Sequence, residues 1–259
     1  NVSGGPDEYL IQDANMTIST ITVADLTWVG NGTQSDPFVI TNVSELQDMK
    51  YSLDSHFQLG SDINASETEN WNNGKGFDPI GDARVRGGQP FTGSFNGSNH
   101  TINGLTINRA NKDGIGLFGG TGEIERNKNG TVKYLNLIEI NITGSDYVGG
   151  LVGSAEGRVD TVTVEGSING VYRVGGVAGF LQTTYMNKTS ADVDVNGSEY
   201  VGGLVGNHNN GQIYKASTTG SVNAKEKVGG LIGYNGNPIS NTKSTSSVNG
   251  SDRVGGLVG

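Results

Sequence analysis

Several residue types are absent or rare in this chain, and each absence removes a class of site or structure. The 259 residues include no cysteine, only 5 prolines and only 3 histidines. Without cysteine there is no disulfide framework, no thiolate zinc site and no thiol nucleophile. His56, His100 and His208 are far apart in sequence, so a histidine metal site is not indicated. No apolar run approaches the ~20 residues of a spanning helix, and we expect no membrane span in this segment.

Basic and large apolar residues are also scarce. Seventeen Lys and Arg stand against 26 Asp and Glu, and the net charge of −9 argues against nucleic acid or an anionic membrane surface as a partner. Leu, Ile, Val and Phe together number 62, or 24% of the chain, just above the roughly 20% below which a chain rarely folds. The core must therefore be thin. The chain opens with Asn1 and shows no signal peptide, as expected of a processed or partial chain.

Glycine, in contrast, is abundant and periodic. Val-Gly-Gly recurs at 148–150, 174–176, 201–203, 228–230 and 254–256, in steps of 26, 27, 27 and 26 residues. The complete copies read Tyr147-Val-Gly-Gly-Leu-Val-Gly153, Arg173-Val-Gly-Gly-Val-Ala-Gly179, Tyr200-Val-Gly-Gly-Leu-Val-Gly206, Lys227-Val-Gly-Gly-Leu-Ile-Gly233 and Arg253-Val-Gly-Gly-Leu-Val-Gly259. A degenerate copy occupies 114–119. Fixed spacing of this kind indicates a repeat architecture rather than a flexible glycine-rich linker.

Each repeat predicts short strands. Segments such as 159–164 are β-branched and alternate with period 2, and no helical periodicity is present in this region. Three strands and three turns fill one repeat, so we predict an all-β fold, a right-handed parallel β-helix (β-solenoid) with coils of about 26 residues. In this interpretation Gly149 and Gly150 turn the chain with positive φ, while Val148 and Leu151 point inward.

The repeated heptad resembles the GLUG-motif family, whose Gly-Leu-hydrophobic-Gly core reads Gly150-Leu-Val-Gly153 here. The resemblance covers 116–259 closely and extends upstream through 91–105. The copy at 173–179 departs from the motif at 176–179, where Val and Ala replace the usual residues, and we expect local irregularity near 180–185. The resemblance implies a large secreted or surface-anchored prokaryotic protein, such as an adhesin-like chain or an extracellular peptidase in which the repeats are not catalytic.

Three regions follow along the chain. Residues 1–36 form a β-rich arm or linker, 37–115 a capping region with irregular first coils, and 116–259 the repeat solenoid. In the capping region, 44–47 fits a capping box that starts a short helix at Ser44, with Leu46, Met49 and Leu53 on one face. The sequence stops within a repeat, so we expect further coils beyond it. Uncapped coil ends or the N-terminal arm are expected to support self-association.

Asn-X-Ser/Thr sequons are more frequent than chance predicts. They begin at Asn1, Asn15, Asn31, Asn42, Asn64, Asn96, Asn99, Asn129, Asn141, Asn187, Asn196 and Asn249. They predict covalent N-glycans if the export route supplies them. Alternatively, these asparagines serve to form turns, because five of the twelve sequons are Asn-Gly-Ser/Thr and Asn-Gly favours tight turns.

One column of acids is expected along the solenoid. Two residues before the Val of each Val-Gly-Gly motif, the sequence has Asp146, Tyr172, Glu199, Glu226 and Asp252. The residue directly before that Val is Tyr147, Arg173, Tyr200, Lys227 or Arg253. Stacked acids could bind Ca²⁺ between coils. Alternatively, the adjacent Arg and Lys residues neutralise an exposed corner, and the sequence lacks the Asp- and Gly-rich nonapeptide of calcium-binding β-rolls. No other cofactor is expected.

Enzymatic signals are weak. Asp78, Asp82, Arg84 and Arg86 form the densest charged group, which could serve a carbohydrate-active β-helix. No nucleophile elbow or phosphate-binding loop is present, and we predict that the protein is not an enzyme. The sequence favours an extracellular or cell-surface structural protein forming a stalk, filament, sheath or surface-layer element. The main alternative is an adhesin that binds surface glycans through Tyr147, Tyr200, Tyr214 and Tyr234.

Overall fold

A computed structural model describes residues 9–11, 19–21, 28–83, 87–123 and 129–259. Within these residues the elements are β1 Tyr9–Ile11, β2 Ser19–Ile21, β3 Phe38–Ile40, α1 Val43–Asp48, the 3₁₀ turns Met49–Tyr51 and Ser66–Asn70, β4 His56–Leu59, β5 Ile63–Asn64, β6 Ser94–Asn96, β7 Thr101–Asn103, β8 Thr106–Asn108, β9 Phe118–Thr121, β10 Gly130–Thr143, β11 Asp146–Gly149, β12 Val152–Asn169, β13 Tyr172–Gly175, β14 Ala178–Asn196, β15 Glu199–Gly202, β16 Val205–His208, β17 Gly211–Asn223, β18 Glu226–Gly229, β19 Ile232–Asn235, β20 Ile239–Ser240, β21 Lys243–Ser244, β22 Ser247–Asn249 and β23 Asp252–Gly255. The pair β1–β2 is a separate antiparallel hairpin.

Successive coils stack in parallel, and equivalent residues of the repeats form columns. One column of stacked residues runs Val132, Val159, Met186, Ile213 and Ile239, and a second runs Val148, Val174, Val201, Val228 and Val254. The steps in the second column are those of the Val-Gly-Gly repeat. The prediction of a parallel β-solenoid is therefore confirmed, with about 5 turns and neighbouring strands roughly 4.8 Å apart.

Many left-handed positions of the coils are occupied by residues other than glycine. The long strand β14 bends at Lys188 (φ 49°), and the corner before each Val-Gly-Gly is left-handed, as at Tyr147 (φ 55°) and Lys227 (φ 51°). The prediction that Gly149 and Gly150 supply positive φ is wrong. These glycines are needed for close packing, since a Cβ would lie 2.4 Å from the Val152 carbonyl oxygen at position 149 and 2.6 Å from the Gly176 carbonyl oxygen at position 150.

The core changes character along the axis. In the repeats it is a thin aliphatic column in which Leu151, Val177, Leu204 and Leu231 are fully buried. Towards the N-terminus the same sheet continues through β6, β4 and β3, and its interior there is filled by phenylalanine. Phe38, Phe57 and Phe95 are in register, and Phe57 and Phe91 have ring centroids 6.1 Å apart. The register shift between coils that was expected near 180–185 lies between Leu181 and Thr184.

The helix α1 begins two residues earlier than expected. Asn42, rather than Ser44, is the N-cap, and its side chain accepts a hydrogen bond from the Glu45 backbone N–H. The Glu45 carboxylate in turn accepts from the Thr41 N–H at 2.7 Å, which completes the reciprocal cap. Leu46 and Met49 are fully buried against the first coils. Among the described residues, no helix is long and apolar enough to cross a membrane.

Candidate functional site

The corner before each Val-Gly-Gly carries a repeated pair of functional side chains. We call the residues Tyr147, Arg173, Tyr200, Lys227 and Arg253 the corner column. Each is preceded by a member of a second column, Asp146, Tyr172, Glu199, Glu226 and Asp252, whose register is fixed by the parallel pairing of β11, β13, β15, β18 and β23. The backbone at the corner column is left-handed in every copy.

Cations of the corner column pair with acids of the preceding coil. The Arg173 Nε donates to Asp146 Oδ1 at 2.8 Å, and its Nη2 bonds the other carboxylate oxygen. The Lys227 Nζ donates to Glu199 Oε1 at 2.5 Å. Arg253 pairs with Glu226 in the same way. The acids are thus neutralised by the next coil, and the described part of the chain holds no group of three or more His, Asp or Glu side chains placed to bind a metal ion.

The hydrogen bonds of these pairs shift the pKa values of Glu199, Lys227 and Arg173. The bond from Lys227 holds the pKa of Glu199 below its usual value, and the same contact raises the pKa of Lys227. The bond to Asp146 likewise raises the pKa of Arg173. All three groups therefore stay ionised at neutral pH, and each ion pair joins a cation of one coil to a carboxylate of the preceding coil.

The cations also cover the tyrosines of the corner column. The Arg173 guanidinium carbon lies 4.0 Å from the centroid of the Tyr147 ring, and the Lys227 Nζ lies 3.9 Å from that of Tyr200. Such contacts are most favourable when the cation is partly desolvated. The Arg173 and Lys227 side chains are therefore each held by a carboxylate and by a tyrosine ring.

We expect an Arg173→Met variant to be less stable by about 2 kcal/mol, since it leaves the buried Asp146 carboxylate without its charged donor. Asp146 is only 6% exposed. The matched control is Arg158→Met, because Arg158 is half exposed and pairs with Asp160 within its own coil; we expect a loss below about 1 kcal/mol there. Denaturant unfolding followed by circular dichroism would measure both. Equal losses would contradict a stabilising role for the pair between coils.

A neighbouring column extends this surface with aromatic rings. Ser154, Phe180, Asn207 and Tyr234 follow the last glycine of successive motifs and are in register. Phe180 contacts Tyr147 edge-on, with ring centroids 5.7 Å apart, and Tyr234 contacts Tyr200 edge-on at 5.9 Å. Sequence analysis missed Phe180, although its position directly after Gly179 matches that of Tyr234 after Gly233.

Three of the four tyrosines proposed for glycan binding therefore meet on one surface. Tyr147, Tyr200 and Tyr234 belong to the two adjacent columns. Tyr214 does not, because it lies on β17 in register with Asn187 and Ser240, beside Lys215.

The charged group proposed for catalysis lies at a cleft near the N-terminal coils. Asp78 and Asp82 line a cavity of about 660 Å³ together with Lys50 and Arg109. Asp78 is ion-paired on both carboxylate oxygens, 3.1 Å from the Arg109 Nη2 and 3.5 Å from the Lys50 Nζ. The other proposed members, Arg84 and Arg86, lie outside the described residues.

The described sequon asparagines all reach the surface. Asn31, Asn42, Asn64, Asn99, Asn129, Asn141, Asn196 and Asn249 are exposed, and Asn96 and Asn187 are half-buried. Asn1 and Asn15 lie outside the described residues. Some of these amides already have a structural role, since Asn42 caps α1 and Asn187 donates to Asp160 Oδ1 at 2.9 Å. Glycosylation stays a prediction.

Comparison with known proteins finds two similar chains. No family model matches the chain, so the resemblance to GLUG-motif proteins stays a prediction. Over 169 residues, 63% of its length, the chain is 37% identical to Halomucin from Haloquadratum walsbyi, and the match covers 2% of that protein. Over 141 residues, 52% of its length, it is 37% identical to a putative Gly-rich membrane protein from Evansella cellulosilytica, of which 15% is covered. The chain thus corresponds to a small part of each relative.

Proposed function

We propose that this chain is a rigid, N-glycosylated β-solenoid element of a surface-associated structural protein, such as a stalk, filament, sheath or surface layer. The observation that carries the proposal is the continuous parallel stacking of coils from β10 to β23. The names of the two relatives, Halomucin and a putative Gly-rich membrane protein, support a surface association. The net charge of −9 agrees with a role that involves no nucleic acid.

Rigidity follows from bonds that repeat between every pair of coils. Besides the backbone ladders, the Asn196 Nδ2 donates to Asn169 Oδ1 at 3.1 Å, and the Asn223 Nδ2 donates to Asn196 Oδ1 at 3.3 Å. Together with the ion pairs of the corner column, these contacts tie each coil to both neighbours. Repeat proteins gain their stability from such nearest-neighbour interfaces, so bending the rod would break bonds on all of its faces.

We assign no catalytic role to the chain. The strongest catalytic candidate, Asp78, is held between Lys50 and Arg109, an arrangement that suits a structural carboxylate better than a general acid, whose pKa must be raised. A carbohydrate-active function would be supported instead if the chain cleaved polysaccharides and an Asp78→Asn variant did not.

Labelling of intact cells tests the proposed location. A membrane-impermeant amine reagent should modify exposed lysines such as Lys112 and Lys225 on intact cells that express the full-length protein natively. A cytoplasmic protein of the same cells serves as the control and should be labelled only after lysis. Protection of both lysines until lysis would overturn the proposal of a surface location.

Site-resolved glycopeptide mass spectrometry tests the glycans. In native material we expect carbohydrate on the exposed sequons Asn141 and Asn249, which are accessible on the coil surface. Asn187 should be largely unmodified, because its half-buried amide donates to the Asp160 carboxylate. Unmodified asparagine at every exposed sequon would remove glycosylation from the proposal.

A further inference from the structure

The aromatic strip formed by Tyr147, Phe180, Tyr200 and Tyr234 has a periodicity that a stalk does not require. We propose that this strip binds an extended, uncharged, β-linked polysaccharide along the solenoid axis. The inference goes beyond the structural role and does not depend on it. The structural role rests on the backbone ladders, the buried columns and the ion pairs between coils, whereas these four rings lie outside the core.

The rings occur as two equivalent pairs that are two coils apart. Tyr147 contacts Phe180 and Tyr200 contacts Tyr234, both edge-on. Two coil steps of roughly 4.8 Å separate the pairs by about 9.6 Å along the axis. In an extended β-1,4-linked glycan, each sugar is turned over relative to the last, so the same face recurs once per disaccharide. That repeat is close to the separation of the two ring pairs.

The rings of this strip are partly exposed, and the backbones beneath them are closely packed. Tyr234 is 45% exposed, and the other three rings are half-buried. The backbones between the two columns are in close contact at glycines. A Cβ at Gly179 would lie 2.4 Å from the Val148 nitrogen, and one at Gly233 would lie 2.4 Å from the Val201 nitrogen. No glycine side chain separates the rings, and partly exposed aromatic rings are suited to sugar rings, which have apolar faces and hydroxyl edges.

The charge distribution of the strip favours an uncharged ligand. Its two cations, Arg173 and Lys227, are neutralised by Asp146 and Glu199, so the strip has no net charge in a molecule of charge −9. An acidic polysaccharide would be repelled by the whole molecule and gain no unpaired cation.

Calorimetric titration of the chain with cellohexaose and chitohexaose tests the proposal, with α-linked maltohexaose as the ligand control. We expect saturable binding of at least one β-linked hexamer and none of maltohexaose. Tyr234→Ala and Phe180→Ala should each weaken that binding about tenfold, because each removes one stacking ring. Tyr234→Phe should retain it. The matched control is Tyr214→Ala, which removes a tyrosine outside the strip and should change the affinity less than about twofold.

Three results would overturn the proposal. One is no saturable binding of either β-linked hexamer, and another is equal binding of maltohexaose. The third is an equal loss in Tyr214→Ala and Tyr234→Ala when circular dichroism shows that both variants keep the wild-type fold. None of these results bears on the stacking of the coils or on cell-surface labelling, so the structural proposal is tested separately.

Discussion

A Gly203→Ala variant should lose about 3 kcal/mol of its free energy of unfolding, because the coils are too close to admit a methyl group. A Cβ at this position would lie 2.3 Å from the Gly230 carbonyl oxygen of the next coil. That oxygen cannot move aside, since the backbone of Gly230 is itself bonded to the following coil through its N–H and the Gly255 carbonyl at 3.1 Å. Denaturant unfolding of the 259-residue chain, followed by circular dichroism, would measure the loss.

Gly256→Ala is the matched control for this variant. Gly256 occupies the same place in its motif as Gly203. No atom lies within 4 Å of a Cβ built at Gly256, and the φ of Gly256 lies outside the left-handed region. We expect a change within about 0.5 kcal/mol. If both alanine variants were destabilised equally, the motif glycines would be required for chain conformation rather than for the spacing between coils.

The glycine motif also shows how far the sequence predicts this fold. The register could be predicted because identical residue types recur at the steps that pair β11 with β13, β15, β18 and β23. The role of the glycines could not, because residue identity does not reveal whether a glycine is needed for its φ or for a close contact. Left-handed backbone costs L-residues roughly 1–2 kcal/mol, which disfavours Tyr147 or Lys227 as corners. The ion pairs and ring contacts of the corner column, formed only after stacking, offset that cost.

Details that depend on a choice between neighbouring residues were harder to predict. Asn42 and Ser44 are both good N-caps, and the contacts of Glu45 with Asn42 and Thr41 select Asn42. The candidate site was predicted in part. Tyr147, Tyr200 and Tyr234 were singled out, but Phe180 was not, because Ser154 and Asn207 take its place in the coils on either side. A search for residues that recur in every repeat does not find a residue, such as Phe180, that differs from its equivalents in the other coils.

Acidification below about pH 6.5 should destabilise the protein through His208, the fully buried histidine. Its Nδ1 bonds the Asn235 Oδ1 at 2.8 Å, while its Nε2 is buried and has no partner among the described residues. Its neighbours in register, Leu181 and Asn235, carry no charge. Burial therefore lowers the pKa of His208, against a smaller opposing effect of the Asn235 hydrogen bond.

The sign of the pH dependence follows from this lowered pKa. Below about pH 6.5 the unfolded chain binds a proton that the folded chain excludes, so stability falls as the pH falls, by up to about 1.4 kcal/mol per pH unit until the folded pKa is reached. His208→Leu should flatten this slope, because leucine already fills the same column at position 181. The free energy of unfolding would be measured between about pH 5 and 8, where most carboxylates stay ionised. His100→Asn, at a surface contact with Asp62, should keep the wild-type slope. If the slope persisted in His208→Leu, or disappeared in His100→Asn, the buried imidazole would not be its origin.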